Sequence, residues 1–219
     1  MSVSPSEDVL LCGSNDHQLY TFSLSNTDIL KDDANNFDLL VAPFHAPGQS
    51  MSPKITGLDT CIWKPLVVSC GLDKTVRVWN YVEKTLELMK TFDEEALSIA
   101  LHPSGLYVLV GFASRVRLCS ILMDDIRPIR DLSIKQCKQM TFSNGGQYFA
   151  VVQNTTVQIY GTYNCELMST LRGHNGKVRS VIFKEGDKSL LTCGLDGGVF
   201  VWNVISGAKE GEDLSFGNR

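Results

Sequence analysis

Apolar and polar residues alternate in short segments along most of the chain, a pattern typical of half-buried β-strands. In one such segment Val76 and Val78 lie two residues apart, so they share one face of a strand. Turn-forming residues separate the segments, as in the stretches 102–105 (HPSG) and 143–146 (SNGG). No segment longer than ten residues shows a convincing helical period. We therefore predict an all-β fold.

The alternating segments recur at a fixed spacing. Residues 67–80 (VVSCGLDKTVRVWN) and 190–203 (LLTCGLDGGVFVWN) share an apolar strand, a Cys-Gly-Leu-Asp turn and a second strand that ends in Trp-Asn. The position of the tryptophan is held in five successive copies by Phe22, Trp79, Cys119, Tyr160 and Trp202. The last four are 40, 41 and 42 residues apart, which is the period of the WD40 repeat with its four strands per blade. The spacing predicts a WD40 β-propeller.

The repeats predict about four and a half four-stranded blades, an incomplete propeller. Residues 1–42 form a partial first blade and the start of an insertion, with an outer strand near Asp38–Val41, and residues 43–53 form a loop. Residues 54–205 form blades two to five. We expect no outer strand in the fifth blade, so that 206–219 is a tail. Because the chain begins and stops inside blades, we expect a fragment, isoform or truncated form of a longer propeller.

The last repeat carries polar residues at the places where WD repeats hold a structural tetrad. The predicted members are His174, Thr192, Asp196 and Trp202. A buried polar network of this kind is stable only when every member is paired. A catalytic interpretation is the alternative, but these residues follow a structural repeat and no G-x-S-x-G motif is present. We predict no catalytic residues and no enzyme activity.

The second blade carries a partial tetrad. It keeps Ser69, Asp73 and Trp79, whereas Met51 stands at the position of the histidine. The remaining histidines, His17, His45 and His102, lie in turn or loop sequences, and we expect them to be solvated.

Composition excludes several classes of function. The net charge is −4 with 43% apolar and 20% charged residues, an ordinary globular balance. Since no basic stripe is present, we expect no nucleic-acid binding. The longest apolar run, Leu106 to Ala113, is too short to span a bilayer, and no signal peptide is recognisable. We expect a soluble intracellular protein without membrane insertion.

The seven cysteines include no C-x-x-C pair, which argues against a zinc site or a disulfide framework. Cys70 and Cys193 share one repeat position, and we expect both to be reduced thiols packed in the core. We predict no metal, cofactor or small-molecule substrate.

A partner-binding face follows from the resemblance to WD propellers, which bind proteins where their innermost strands begin. Transferred by register, the exposed positions of that face include Lys54, Leu72, Glu95, Lys138, Lys177, Arg179 and Leu195, with Gln136 beside them. This mixture of basic and apolar side chains suits an acidic or amphipathic peptide. The alternative is that each is an ordinary surface residue.

The linking segments resemble one particular family. The motifs HPSG, DDIR and SNGG, in that order, are not required by a generic WD repeat. Together with the repeats they resemble the second propeller of the cilia- and flagella-associated protein 57 family, from about residue 3 to 210. The resemblance implies a non-enzymatic protein-binding scaffold that supports the assembly or docking of inner dynein arms. Its implied location is the cytoplasm and cytoskeleton, in the axoneme of motile cilia or flagella.

Two other functions stay open. One is a general intracellular WD-repeat adaptor in a ubiquitin-ligase or signalling complex. The other is a propeller hydrolase, which would need carboxylates or histidines converging on the central channel, and the sequence offers none.

Overall fold

The computed structural model describes residues 1–13, 19–24, 37–41 and 54–212, and this part of the chain forms five antiparallel four-stranded sheets without a helix. Blade one contains β1 (Ser2–Val3), β2 (Val9–Gly13), β3 (Leu19–Ser23) and β4 (Phe37–Val41). Blade two contains β5 (Ile55–Thr60), β6 (Leu66–Gly71), β7 (Thr75–Asn80) and β8 (Thr85–Thr91). Blade three contains β9 (Ala96–Leu101), β10 (Tyr107–Phe112), β11 (Val116–Ile121) and β12 (Ile126–Leu132).

The last two blades repeat the plan. Blade four contains β13 (Met140–Phe142), β14 (Tyr148–Gln153), β15 (Thr156–Gly161) and β16 (Leu167–Arg172). Blade five contains β17 (Val178–Phe183), β18 (Ser189–Gly194), β19 (Val199–Asn203) and β20 (Lys209–Glu212). In every sheet each strand pairs with the next strand along the chain. The fold is the predicted all-β propeller architecture, and the outer strand of blade one lies where the sequence placed it.

The apolar core lies between blades rather than inside any one of them. Val68 and Val78 on one face of blade two pack with Ile99 and Val110 of blade three. Trp202 of blade five packs with the apolar side chains of blade four. Since the inner strands are covered on both faces, each blade buries its apolar residues against its neighbours.

The predicted absence of an outer strand in blade five was wrong. Strand β20 pairs with β19, with Phe200 opposite Glu212 and Trp202 opposite Lys209, so blade five has four strands and residues 206–212 are not a tail. The segment Lys-Glu-Gly-Glu shows no apolar alternation from which a strand could be predicted. Backbone pairing with β19 holds this strand in place. The Lys209 ammonium also lies 3.7 Å from the centre of the Phe200 ring, a cation–π distance.

His102 was expected to be a solvated loop residue, and this was also wrong. Its side chain is only 4% exposed. Nδ1 lies 2.7 Å from Ser104 Oγ, and Nε2 lies 3.0 Å from the carbonyl oxygen of Gly146 in blade four. The ring also packs edge-on against Phe142. His102 therefore connects blade three to blade four. His17 and His45 lie outside the described residues.

A polar bond of this kind crosses each of the other blade boundaries. Ser2 Oγ lies 2.8 Å from Thr60 Oγ1, between blades one and two. Asp59 accepts a bond of 2.7 Å from the Leu101 amide, between blades two and three. Asp187 of blade five accepts bonds from the amides of Asn144 and Gly145 in blade four. The blades are thus tied by specific bonds as well as by apolar contact.

Candidate functional site

The four residues of the predicted tetrad form one hydrogen-bonded chain in blade five. Trp202 Nε1 donates to Thr192 Oγ1 over 2.8 Å, and His174 Nε2 lies 2.7 Å from the same hydroxyl. His174 Nδ1 lies 3.0 Å from a carboxylate oxygen of Asp196. All bonds are satisfied if the indole donates to the hydroxyl, the hydroxyl donates to Nε2, and Nδ1–H donates to the carboxylate.

Asp196 closes this chain at the surface. Burial opposes its ionisation most strongly, but bonds from the Asn175 amide, the His174 ring and the Gly198 amide outweigh it and hold the pKa of Asp196 at about 2. Thr192, by contrast, is fully buried, so no substrate can reach its hydroxyl. The arrangement orders the loop around Asn175 against the blade and does not present a nucleophile.

Blade two contains a shorter version of the network. Trp79 Nε1 donates to Ser69 Oγ over 2.8 Å, and within the described residues no histidine extends this bond as His174 does in blade five. Asp73 instead accepts bonds from the amide and the hydroxyl of Thr75 and forms an ion pair with Arg77. The position of the missing histidine, Met51, lies outside the described residues.

The residues of the predicted partner-binding face lie where the innermost strands begin. In blade two the Leu72 amide donates to the carbonyl oxygen of Lys54, and in blade five the Leu195 amide donates to that of Lys177. The two pairs hold equivalent places in their blades. Leu195 is 60% exposed, and Glu95 is exposed immediately before β9.

A pocket of about 560 Å³ opens on this face between blades three, four and five. We call it the basic pocket, because its lining includes four cationic side chains. Its lining residues are Ala113, Lys135, Gln136, Lys138, Gln139, Val152, Gln153, Asn154, Lys177, Val178 and Arg179. The structure thus brings Lys138, Lys177 and Arg179 of the predicted face together. Lys54, Leu72, Glu95 and Leu195 do not line this pocket.

Lys135 was missed by the sequence reasoning. It lies in the linker between β12 and β13, which has no strand register from which a position could be transferred. The signal that could have found it is the sequence Lys-Gln-Cys-Lys, where two cations flank a short turn immediately before an inner strand.

The cations of the basic pocket are unengaged. Within the described part of the chain, no hydrogen bond or ion pair involves the side chain of Lys135, Lys138, Lys177 or Arg179. Some other cations of the protein do form ion pairs, as where Arg117 contacts Asp131 at 2.6 Å and Lys90 contacts Asp125 at 2.7 Å. No acidic residue is among the residues that line the pocket. The pocket is therefore a local positive site on a chain whose net charge is −4.

The backbone around the pocket is held in an unusual conformation. Gln136 and Asn154 have φ angles of 52° and 60°, a left-handed region that residues other than glycine seldom adopt. Interblade bonds fix both places, because the Gln136 amide donates to the carbonyl oxygen of Ala113 and the Val178 amide donates to that of Asn154. The walls of the pocket are thus preformed.

A second cavity of about 300 Å³ lies beside the inner strands of blades one to four and includes Lys138 in its lining. Within the described residues, no group of three or more His, Cys, Asp or Glu side chains is placed to hold a metal ion. The same residues include no helix long and apolar enough to cross a membrane.

Comparison with known proteins agrees with this geometry. The family model "WD domain, G-beta repeat" matches residues 45–80 and 165–203, the two segments that contain Trp79 and Trp202. The chain is a WD40-repeat propeller. WD repeats are protein-interaction modules, and the matched segments include the networks of blades two and five.

Similar proteins extend the match to the degenerate blades. The chain is 46% identical to cilia- and flagella-associated protein 57 of Mus musculus over 95% of its own length. It is 38% identical over 99% of its length to cilia- and flagella-associated protein 57 A of Tetrahymena thermophila. In each case it spans 16% of the relative. The human echinoderm microtubule-associated protein-like 4 is 24% identical over 76% of this chain, which spans 18% of that protein.

Proposed function

We propose that this WD40-repeat chain is a non-enzymatic scaffold of the ciliary or flagellar axoneme. In this role it binds other proteins through the face where its inner strands begin, and it supports the assembly or docking of inner dynein arms. The observation that carries the proposal is the 46% identity to a cilia- and flagella-associated protein across blades that lack the tetrad as well as those that keep it.

The geometry supports binding rather than catalysis. The His174–Thr192–Trp202 network is enclosed between strands, whereas the four cations of the basic pocket are exposed and form no ion pair among the described residues. A preformed pocket with unsatisfied charge favours a charged partner, because binding then does not first require internal ion pairs to be broken.

The test uses a full-length protein of a motile-ciliated cell that carries this segment. A tagged wild-type protein should localise along the axoneme. Deletion of the segment 54–212 should reduce the amount of inner dynein arms retained on isolated axonemes. Dynein heavy chains are quantified by mass spectrometry against tubulin. A tagged protein that stays outside cilia and copurifies with ubiquitin-ligase or signalling components would reject the proposal in favour of the general adaptor.

A further inference from the structure

We propose that the basic pocket binds an extended acidic segment of a partner protein, with carboxylates at alternate positions of the segment. The inference rests on the proposed function only in taking this face as the one that binds protein. It names the chemistry that the face recognises.

The charge of the pocket selects an anionic ligand. Lys135 and Lys138 approach it from the linker before β13 in blade four, whereas Lys177 and Arg179 approach it from the start of β17 in blade five. Because none of these side chains has a counter-ion among the described residues, an anion that enters between the two blades would relieve the like-charge repulsion among them.

The spacing of the cations favours an extended peptide. Lys177 and Arg179 are two residues apart at the start of β17, and both are exposed and line the pocket, whereas Val178 between them is buried. In an extended ligand, alternate residues also point to one side and lie about 6.6–6.8 Å apart along the chain. Two carboxylates at alternate positions therefore match Lys177 and Arg179, and Lys138 lies on the facing wall.

The remaining lining suits a peptide backbone. Four side-chain amides, those of Gln136, Gln139, Gln153 and Asn154, line the pocket without a side-chain hydrogen bond among the described residues. Each amide offers both donors and acceptors, which are the groups that an extended backbone presents. Their number exceeds what is needed to hold an isolated ion.

The same lining disfavours a nucleic acid. Sites for single-stranded nucleic acid combine cations with aromatic side chains on which bases stack, and no aromatic residue lines the basic pocket. The chain as a whole carries a net charge of −4, which would repel a long polyanion. A short acidic peptide avoids both problems.

The direct test is fluorescence polarisation of the 219-residue chain with a labelled peptide of four Gly-Glu repeats. The matched probe has four Gly-Gln repeats, and a labelled single-stranded RNA of eight nucleotides is the third arm. We expect the glutamate peptide to bind at least tenfold more tightly than the other two probes, and to weaken as NaCl rises from 50 to 200 mM.

Charge-reversal variants test whether the glutamate peptide binds in the basic pocket. The double variant Lys177→Glu/Arg179→Glu should lose at least tenfold in affinity for the glutamate peptide. The matched control is Lys184→Glu/Lys188→Glu, which makes the same charge change in exposed residues at the opposite end of blade five. It should change the affinity less than twofold. Lys135→Gln/Lys138→Gln removes charge from the other wall and should also weaken binding, with an unchanged melting temperature in each case.

Three outcomes overturn the inference: equal binding of the glutamine peptide, tighter binding of RNA, or equal losses in the pocket and control variants. These results are independent of location in the cell. Peptide binding by a protein that stays outside cilia would reject only the proposed function, and failure of peptide binding by an axonemal protein would reject only this inference.

Discussion

Cys70 and Cys193 hold the same position in blades two and five, yet Cys70 is fully buried and Cys193 is exposed. The face of blade two that carries Cys70 packs against blade three. The equivalent face of blade five points away from blade four, since alternate residues of a strand face opposite sides. The expectation that both thiols are packed in the core was therefore wrong for Cys193.

Thiol labelling should separate these two cysteines. Burial raises the pKa of the Cys70 thiol to about 12, so both its thiolate population and its access to solvent are small. We expect a maleimide to modify Cys193 in the folded protein and Cys70 only after unfolding. Mass spectrometry of tryptic peptides after a short exposure measures both sites. Modification of Cys70 at the rate of Cys193 in native buffer would contradict this burial pattern.

The Thr192 hydroxyl of the tetrad should contribute more to the stability of the protein than the equivalent Ser69 hydroxyl of blade two. Thr192→Val keeps the shape of the side chain but leaves His174 Nε2 and Trp202 Nε1 without their partner. Each unsatisfied buried group costs about 1–3 kcal/mol. Ser69→Ala removes the partner of Trp79 Nε1 alone. Urea unfolding should give a larger loss of stability for Thr192→Val, and equal losses would show that the His174 bond contributes little.

Alanine substitutions at two glycines test how closely blades three and four pack at His102. A Cβ at Gly146 would overlap the His102 ring, whereas a Cβ at Gly186 would meet nothing within 4 Å. Both glycines have similar positive φ angles, 73° and 78°, so both alanine variants carry a similar backbone penalty of about 1–2 kcal/mol. We expect Gly146→Ala to lower the melting temperature several degrees further than Gly186→Ala. Indistinguishable melting temperatures would mean that His102 moves aside at no cost.

Asp59 should make stability depend on pH between about 4 and 6. Burial raises the pKa of Asp59 from 3.8 to about 6, against the lowering effect of the Leu101 and Thr60 amides. In that interval the folded state binds more protons than the unfolded state, so this residue's contribution to stability is full below about 4 and is lost as pH rises through about 6.

Asp59→Asn isolates this effect, because the amide oxygen can still accept the bond from the Leu101 amide. One pKa unit corresponds to about 1.4 kcal/mol. Relative to wild type, the variant should therefore gain about 1–3 kcal/mol in free energy of unfolding between pH 4 and pH 7. Denaturant titrations of both proteins at a series of pH values measure the difference, and parallel curves would show that Asp59 is solvated in the folded state.

The sequence predicts those strands whose side chains are part of the repeat. Positions such as Trp79 and Trp202 define a strand and its register because large apolar side chains must enter the space between blades. The same reasoning fails for β20, whose polar residues are held by main-chain pairing that leaves no alternating pattern in the sequence.

The other differences between the sequence prediction and the structure share one cause, which is contact between different blades. The burial of His102 depends on Gly146, which is 44 residues away and belongs to the next blade. The exposure of Cys193 depends on what lies against its face, and the position of Lys135 depends on how a linker without strand register enters blade four. None of these contacts is encoded within a single repeat, so a pattern read within one repeat cannot reveal them.

The hydrogen bonds between blades determine which parts of this propeller could be transferred to another propeller. Asp59 makes its interblade bond only with the Leu101 amide, and Asp187 makes its own only with the turn at Asn144 and Gly145. A blade grafted alone would leave half of each pair behind, and Asp59 or His102 would lose its partner in the neighbouring blade. The smallest unit that could be transplanted with such a pair intact is therefore two consecutive blades.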